Sequence, residues 1–263
     1  MITPYAALVA DLARAPSLLV VCEFDGTIAE FVRDPSDARP IDGALAALES
    51  LSDLDGTRAS VISGRSLDDL RHAFGRSFED TQSSRIELIG SDGMEIDQMN
   101  LGLTAEARRT QRHLLEEASR VADEHPGVTV DDKPYGIALH VRGAATNLDA
   151  QRAIDRLLQA AAAMPNRVYS QIRSKVLELS VLPVGQDWAI DAMRRGREAR
   201  VFYAGNDERA LLSLGANDIG CTVGTLRSEA SLCVASPSAL VQELVELARA
   251  RAMILDAPRF TDL

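Results

Sequence analysis

The feature that most constrains this chain is the run Leu18-Leu19-Val20-Val21-Cys22, which leads without a break into Glu23-Phe24-Asp25-Gly26-Thr27. A continuous apolar run closed by an acid and a glycine fits a strand buried on both faces, the pattern of a central strand in a parallel sheet. Side chains alternate along a strand, so Glu23 and Asp25 point the same way if the extended backbone continues. Ligands of open α/β sheets bind beyond the carboxyl ends of the strands. These two carboxylates are therefore the first candidates for chemistry.

The same junction, an apolar strand running into a polar loop, recurs along the chain. Residues 58–62 lead into Ser63-Gly64-Arg65, residues 86–90 into Ser91-Asp92-Gly93-Met94-Glu95, and residues 200–204 into Gly205-Asn206-Asp207. Residues 219–224 are expected to form the last core strand. Helices are expected over 3–15, over 42–52 with Asp42 as its cap, over 66–74, over 186–195, and from Ser236 and Pro237 to about Met253. Between residues 101 and 183 the order changes to helix (105–125), two strands around an Asp132–Tyr135 turn, helix (147–163), and two strands (167–174 and 175–182). Such a unit forms an α+β layer.

Composition narrows the partners. A formal net charge of −11 argues against nucleic acid, which requires a basic face. Hydrophobic residues make up 46% of the 263, enough for a real core. Cys22, Cys221 and Cys233 share no metal-ligand spacing, and the first two lie in apolar runs. They are expected to be core thiols in a reducing compartment. The first residues carry acids and no basic leader, and no apolar run reaches membrane-spanning length. The expected location is the cytoplasm, with no membrane partner.

Residues 18–27 resemble the first motif of the haloacid dehalogenase-like phosphatases, a strand followed by Asp-x-Asp-Gly-Thr. The continuation Ile28 to Pro35 is similar to the trehalose-6-phosphate phosphatase branch of that superfamily. Ser63-Gly64-Arg65 resembles the second motif, where the hydroxyl and backbone N–H groups hold phosphate. Residues 90–95 resemble a Gly-x-His-Gly-x-Glu stretch, and Gly205-Asn206-Asp207 the magnesium-holding Gly-Asp-Asp motif. The resemblance implies an α/β fold, with a Rossmann-like haloacid dehalogenase-type parallel-sheet core (1–100 and 184–263) and an inserted α+β cap (101–183). It implies a magnesium cofactor held by residues 23, 25, 206 and 207, with Asp25 giving its backbone carbonyl. A phosphorylated disaccharide such as trehalose 6-phosphate would be the ligand. Lys133, His140, Arg142, Lys175 and Glu178 match the cap's sugar contacts. His140 and Arg142 would alternate to one face of a strand, whereas Lys175 and Glu178 would face opposite sides unless a bulge intervenes.

Departures from the family pattern fall on the chemistry. Glu23 stands where the nucleophilic Asp belongs, Asp92 replaces the His, Gln186-Asp187 replaces a Lys-Gly pair, Asn206 replaces the first Asp of the last motif, and Arg209-Ala210 replaces its Thr-Asp. Phosphoryl transfer needs an in-line nucleophile, a neutralising metal and cationic contacts. Misplacing the nucleophile by about 1 Å costs ~10²-fold, and losing a charge-stabilising donor costs ~10²–10³-fold. The expected protein is weakly active or inactive and retains sugar-phosphate binding. Two alternatives stand beside it: an active magnesium-dependent sugar-phosphate phosphatase using Glu23, and a non-catalytic subunit with a protein partner in trehalose metabolism.

Overall fold

The computed structural model describes residues 4–75, 85–96, 103–173, 175–183, 185–194, 198–227 and 229–256. In chain order the elements are α1 (Pro4–Ala13), β1 (Leu18–Glu23), α2 (Ala44–Ser52), β2 (Thr57–Ile62), α3 (Leu67–Ala73), β3 (Ile86–Gly90), β4 (Glu95–Ile96), α4 (Ala105–Glu124), β5 (Thr129–Lys133) and β6 (Gly136–His140). Then follow α5 (Asn147–Ala162), β7 (Tyr169–Arg173), β8 (Val176–Ser180), α6 (Gln186–Arg194), β9 (Arg200–Ala204), α7 (Glu208–Ser213), β10 (Ile219–Val223), β11 (Leu232–Val234) and α8 (Pro237–Leu255). The chain packs as two units, Met1–Gln98 with Gly185–Leu263, and Met99–Val184.

The first unit is built on β1. Its sheet runs β11-β10-β9-β1-β2-β3-β4, parallel except for the short β4. Leu18, Val20 and Cys22 enter one core while Leu19 and Val21 enter another. That two-sided burial is why the strand is an unbroken apolar run. Residues of α1, α2, α3 and α8 fill the first core, and those of α6 and α7 the second. The chain runs from β1 out through β2 and β3, then continues on the other side through β9 and β10, so its direction reverses between β1 and β9.

The helix caps are only partly as expected. Ser236 accepts a hydrogen bond from the Ala239 N–H at 3.2 Å, with Pro237 in the first turn. Ser66 does the same for α3 through the Asp69 N–H at 3.1 Å. Asp42 does not cap α2, because the helix starts after Gly43, which takes the left-handed conformation (φ 83°) and makes no side-chain cap. Nor is β10 the last core strand: β11, an edge strand of three residues, pairs beyond it. So short a segment carries no pattern of its own.

Cys22 and Cys221 are buried and Cys233 is exposed. Burial pushes the Cys22 thiol far above its ordinary range and the Cys221 thiol up to about 12. A thiol reagent at mildly alkaline pH should therefore label Cys233 alone in the folded chain, and all three cysteines in denaturant. Rapid native labelling of a second thiol would show that the strand core is open.

The second unit is an antiparallel sheet, β5-β6-β8-β7. Ile137, Leu139, Leu177 and Leu179 share one core with Leu114, Ala118 and Val121 of α4 and with Ala153, Ile154 and Leu157 of α5. The intervening residues of each strand, at the alternating positions, make a second, polar face. The expected four-residue turn is shorter than the sequence suggested. The Asp132–Ile137 and Lys133–Gly136 pairs extend the ladder, leaving only Pro134 and Tyr135 in the turn. Among the described residues no helix is long and apolar enough to cross a membrane.

Candidate active site

The carboxyl ends of the parallel strands bring the polar junctions together. Glu23 ends β1, Ser63 follows β2, Asp92 follows β3, and Gly205, Asn206 and Asp207 follow β9. Gln186 opens α6. This cluster sits where the strand order reverses, the position at which open α/β sheets bind ligands.

Glu23 is held from two sides. The Gln186 side-chain amide donates from Nε2 to Glu23 Oε1 at 2.8 Å, and the Asn206 backbone N–H donates to Glu23 Oε2 at 2.8 Å. The same Gln186 Nε2 donates to Asp92 Oδ1 at 3.0 Å. Its carbonyl Oε1 accepts from the buried Tyr203 hydroxyl at 2.9 Å. Burial, with the Glu23 carboxylate close by, holds the Tyr203 phenol well above its ordinary pKa, so it serves as a donor. Room for this arrangement comes from Gly205. A Cβ there would lie 2.5 Å from the Tyr203 hydroxyl and 2.6 Å from Glu23 Cγ.

Asp92 reaches Gln186 from a strained turn. Ser91 and Asp92 both have positive φ (48° and 52°), a conformation costing about 1–3 kcal/mol for a residue other than glycine. The turn is tied down by Asp92 N–H donating to Ser63 O at 2.9 Å and Ser91 N–H donating to Arg65 O at 2.6 Å. Glu95 adds to this, accepting from the Leu67 N–H at 2.9 Å and the Ser91 hydroxyl at 2.8 Å.

Asp25 has other partners than Glu23. β1 ends at Glu23, so the alternation expected of the two carboxylates stops there. Arg65 takes Asp25 with both arms, Nε to Oδ2 at 2.8 Å and Nη2 to Oδ1 at 2.7 Å. Its Nη1 donates to Pro35 O at 2.6 Å, and the guanidinium lies 5.2 Å from the Phe24 ring centroid. Asp25 raises the Arg65 pKa further, so the pair stays ionic. Ser63 Oγ accepts from the Arg65 N–H at 3.1 Å. Gly64 is close to the acid: a Cβ there would lie 3.1 Å from Asp92 Oδ2.

Two further departures meet each other. Asp187 and Arg209 form an ion pair at 2.8 Å between α6 and α7. Asp207 caps α7, its Oδ1 accepting from the Ala210 N–H at 2.8 Å. Sequence reasoning had not singled out Tyr203 or the Asp187–Arg209 pair. A buried tyrosine in an apolar strand needs a partner for its hydroxyl, and that is the signal which points to Tyr203. The ion pair leaves no such mark in one sequence.

The residues nominated for magnesium do not fit it in this geometry. Magnesium demands near-octahedral oxygen ligands. Asp207 Oδ1 caps a helix and Glu23 accepts a hydrogen bond on each oxygen; Asp25, expected to give its backbone carbonyl, has its carboxylate taken up by Arg65. Asn206 offers one neutral oxygen, Oδ1, which is buried and without a hydrogen-bond partner among the described residues. Among those residues no group of three or more His, Cys, Asp or Glu side chains could hold a metal ion.

In the second unit, the ladder aligns Lys133 with Gly136, Thr129 with His140, and Ala138 with both Asp131 and Glu178. Lys133, His140 and Glu178 thus share the polar face, and His140 Nε2 lies 2.8 Å from Asp131 Oδ2. Arg142 is not on that strand face, since β6 ends at His140 and Arg142 sits exposed in the following turn. Lys175 likewise lies in the exposed turn before β8, so the question of a bulge between it and Glu178 does not arise.

Comparison with known proteins agrees with this architecture. The family model for trehalose-phosphatase matches residues 21–179, more than half of the chain. The trehalose-phosphate phosphatase of Mycobacterium avium (strain 104) is 35% identical over 130 residues, which cover 48% of this chain and 31% of that protein. The match therefore spans about a third of that relative's length. The C-terminal domain of Candida albicans trehalose-6-phosphate phosphatase superposes with a TM-score of 0.72 at 16% identity, covering 94% of this chain and 97% of that one. An Aspergillus fumigatus trehalose-6-phosphate phosphatase gives 0.69 at 20% identity, covering 94% and 97%. At such identities the structural likeness establishes the fold, the haloacid dehalogenase-type parallel-sheet architecture expected from the sequence. With that fold and the family match over residues 21–179, the chain belongs to the trehalose-phosphatase family.

Proposed function

We propose that this chain is a member of the family that binds a phosphorylated disaccharide, trehalose 6-phosphate or a close analogue, with phosphatase chemistry that is weak or lost. The observation that carries the second half is the state of Glu23. Its carboxylate accepts from the neutral Gln186 amide and the Asn206 N–H, so neither of these partners brings the positive charge that phosphoryl transfer needs at the reacting centre. The extra methylene of Glu moves the carboxylate, and Gln186 supplies no cation where the family has one.

The first half rests on the second unit's polar face. Lys133, His140 and Glu178 occupy adjacent strands there, and a sugar is held mainly by directional hydrogen bonds. Arg142 and Lys175 would add sugar contacts from the turns of that unit. In the first unit, Ser63, Gly64 and Arg65 would receive a phosphate. Buried free thiols in Cys22 and Cys221 suit a reducing compartment such as the cytoplasm.

Calorimetric titration with trehalose 6-phosphate tests the binding. His140→Ala and Glu178→Ala should each weaken it by roughly 5- to 150-fold, the effect of about 1–3 kcal/mol for an unpaired polar group. Both changes should leave stability within ~0.5 kcal/mol, since each side chain is partly exposed. Absence of any binding by the unmutated chain would defeat the sugar reading and favour a protein partner instead.

A further inference from the structure

The residues that depart from the family pattern are in contact with one another. Glu23, Gln186 and Asp92 come from three separate segments and meet at one amide nitrogen. Two carboxylates brought this close repel, and a cation, a shared proton or hydrogen-bond donors must offset that repulsion. Here the amide NH₂ carries two hydrogens and places one on each acid. An amide can flip, and a flipped Gln186 would aim its carbonyl at both carboxylates. The two carboxylates can only accept, so the NH₂ end faces them, and the Tyr203 hydroxyl completes the arrangement by donating to Oε1 at the other end. Gly205 leaves the space in which hydroxyl and glutamate approach.

We propose that Gln186, hydrogen-bonded at its carbonyl by Tyr203, bridges Glu23 and Asp92 where the family has a lysine ammonium, so that these two acids are held together without a metal ion. Gln186 is the bridge, and Tyr203 is a positioning residue whose hydroxyl donates to the Gln186 carbonyl and lies beside the Glu23 carboxylate. Asn206 fits the same account. Its neutral amide adds no charge beside Glu23, whereas an Asp would add a third acid that the bridge has no hydrogen to satisfy. The inference concerns metal and amide alone, and it stands whether or not the sugar reading does.

The test titrates Mn²⁺ into the full chain and reads free metal by electron paramagnetic resonance. Parallel thermal unfolding is run with Mg²⁺ and with a chelator. The unmutated chain should show no saturable site tighter than ~1 mM, the weak end of protein sites for hard cations. Its melting temperature should be the same with Mg²⁺ as with chelator. Gln186→Glu, equal in shape, turns the bridge into a third carboxylate, and it should bind Mn²⁺ at least about tenfold more tightly and melt higher with metal than without. Saturable binding by the unmutated chain, or a Gln186→Glu protein that ignores metal, would overturn the proposal. Should Gln186→Glu not fold, Tyr203→Phe decides. Loss of the hydroxyl should speed exchange of the Gln186 side-chain amide protons by about tenfold or more, with the fold intact by circular dichroism. Unchanged exchange would overturn the bridge.

Discussion

Glu23→Asp, Gln186→Lys and Asn206→Asp made together should raise phosphate release from trehalose 6-phosphate in magnesium by about 10³-fold or more over the parent chain. Repositioning the nucleophile restores ~10²-fold, and a cationic donor on the transferring group ~10²–10³-fold, although such factors need not multiply. The contacts explain why the changes belong together. Glu23→Asp alone pulls the carboxylate away from the Gln186 amide and the Asn206 N–H, and leaves the centre without a cation. Asn206→Asp alone puts a new acid where the amide oxygen is already buried and unsatisfied. Gln186→Lys supplies the charge that both acids then need, at the cost of the acceptor for Tyr203. Each single change should therefore gain less than about tenfold. A triple variant no faster than its parent would move the defect to Asp92 and the Asp187–Arg209 pair.

A second large effect is expected far from this site. Arg251, on α8, is only 1% exposed. Its guanidinium donates to Ala13 O at 3.1 Å, Ala15 O at 2.7 Å, Asp55 O at 3.1 Å and the Thr57 hydroxyl oxygen. These groups belong to the end of α1, the approach to β1, and the approach to and first residue of β2, so one side chain joins the C-terminal helix to the start of the central strands. Gly56 helps by approaching closely: with φ +69°, a Cβ there would lie 2.6 Å from Pro16 O and 3.3 Å from Arg251 Nη2. Burial pulls the Arg251 pKa down, yet arginine stays charged at any working pH. Arg251→Ala removes the donors from several carbonyls at about 1–3 kcal/mol for each left unsatisfied, and opens a cavity as well. The expected loss is roughly 3–5 kcal/mol in urea unfolding, with a melting temperature lower by about 6–20 °C. Arg251→Lys should recover little, because an ammonium cannot span the same fork. A loss below ~1 kcal/mol would show that the carbonyls find other donors.

How far the sequence reached depends on the range of each interaction. β1 was legible because burial on both faces leaves an unbroken apolar run, and α8 because Ser236 and Pro237 mark its start locally. Asp42 misled because a left-handed glycine, not a side chain, begins α2. Arg142 and Lys175 were placed on strands by alternation alone, and the ladder stops short of both. The site itself was legible as a set of positions, since each junction follows a strand. Its wiring was not. The Gln186 amide meets Glu23 across 163 positions and Asp92 across 94, and one sequence carries no trace of such contacts. Asp187 and Arg209 looked like two independent losses of family residues, whereas in the fold they form one ion pair.

The central claim is that ligand binding is retained while turnover is weak or lost, and one sample can test both. The unmutated chain, trehalose 6-phosphate and magnesium are combined at protein concentrations above the calorimetric Kd, and released phosphate is followed through many turnover-equivalents of time. The account predicts saturable binding with phosphate release no faster than in a Glu23→Gln control. Sustained release that depends on Glu23 would contradict it, because Glu23 would then be serving as the nucleophile beside a neutral Gln186.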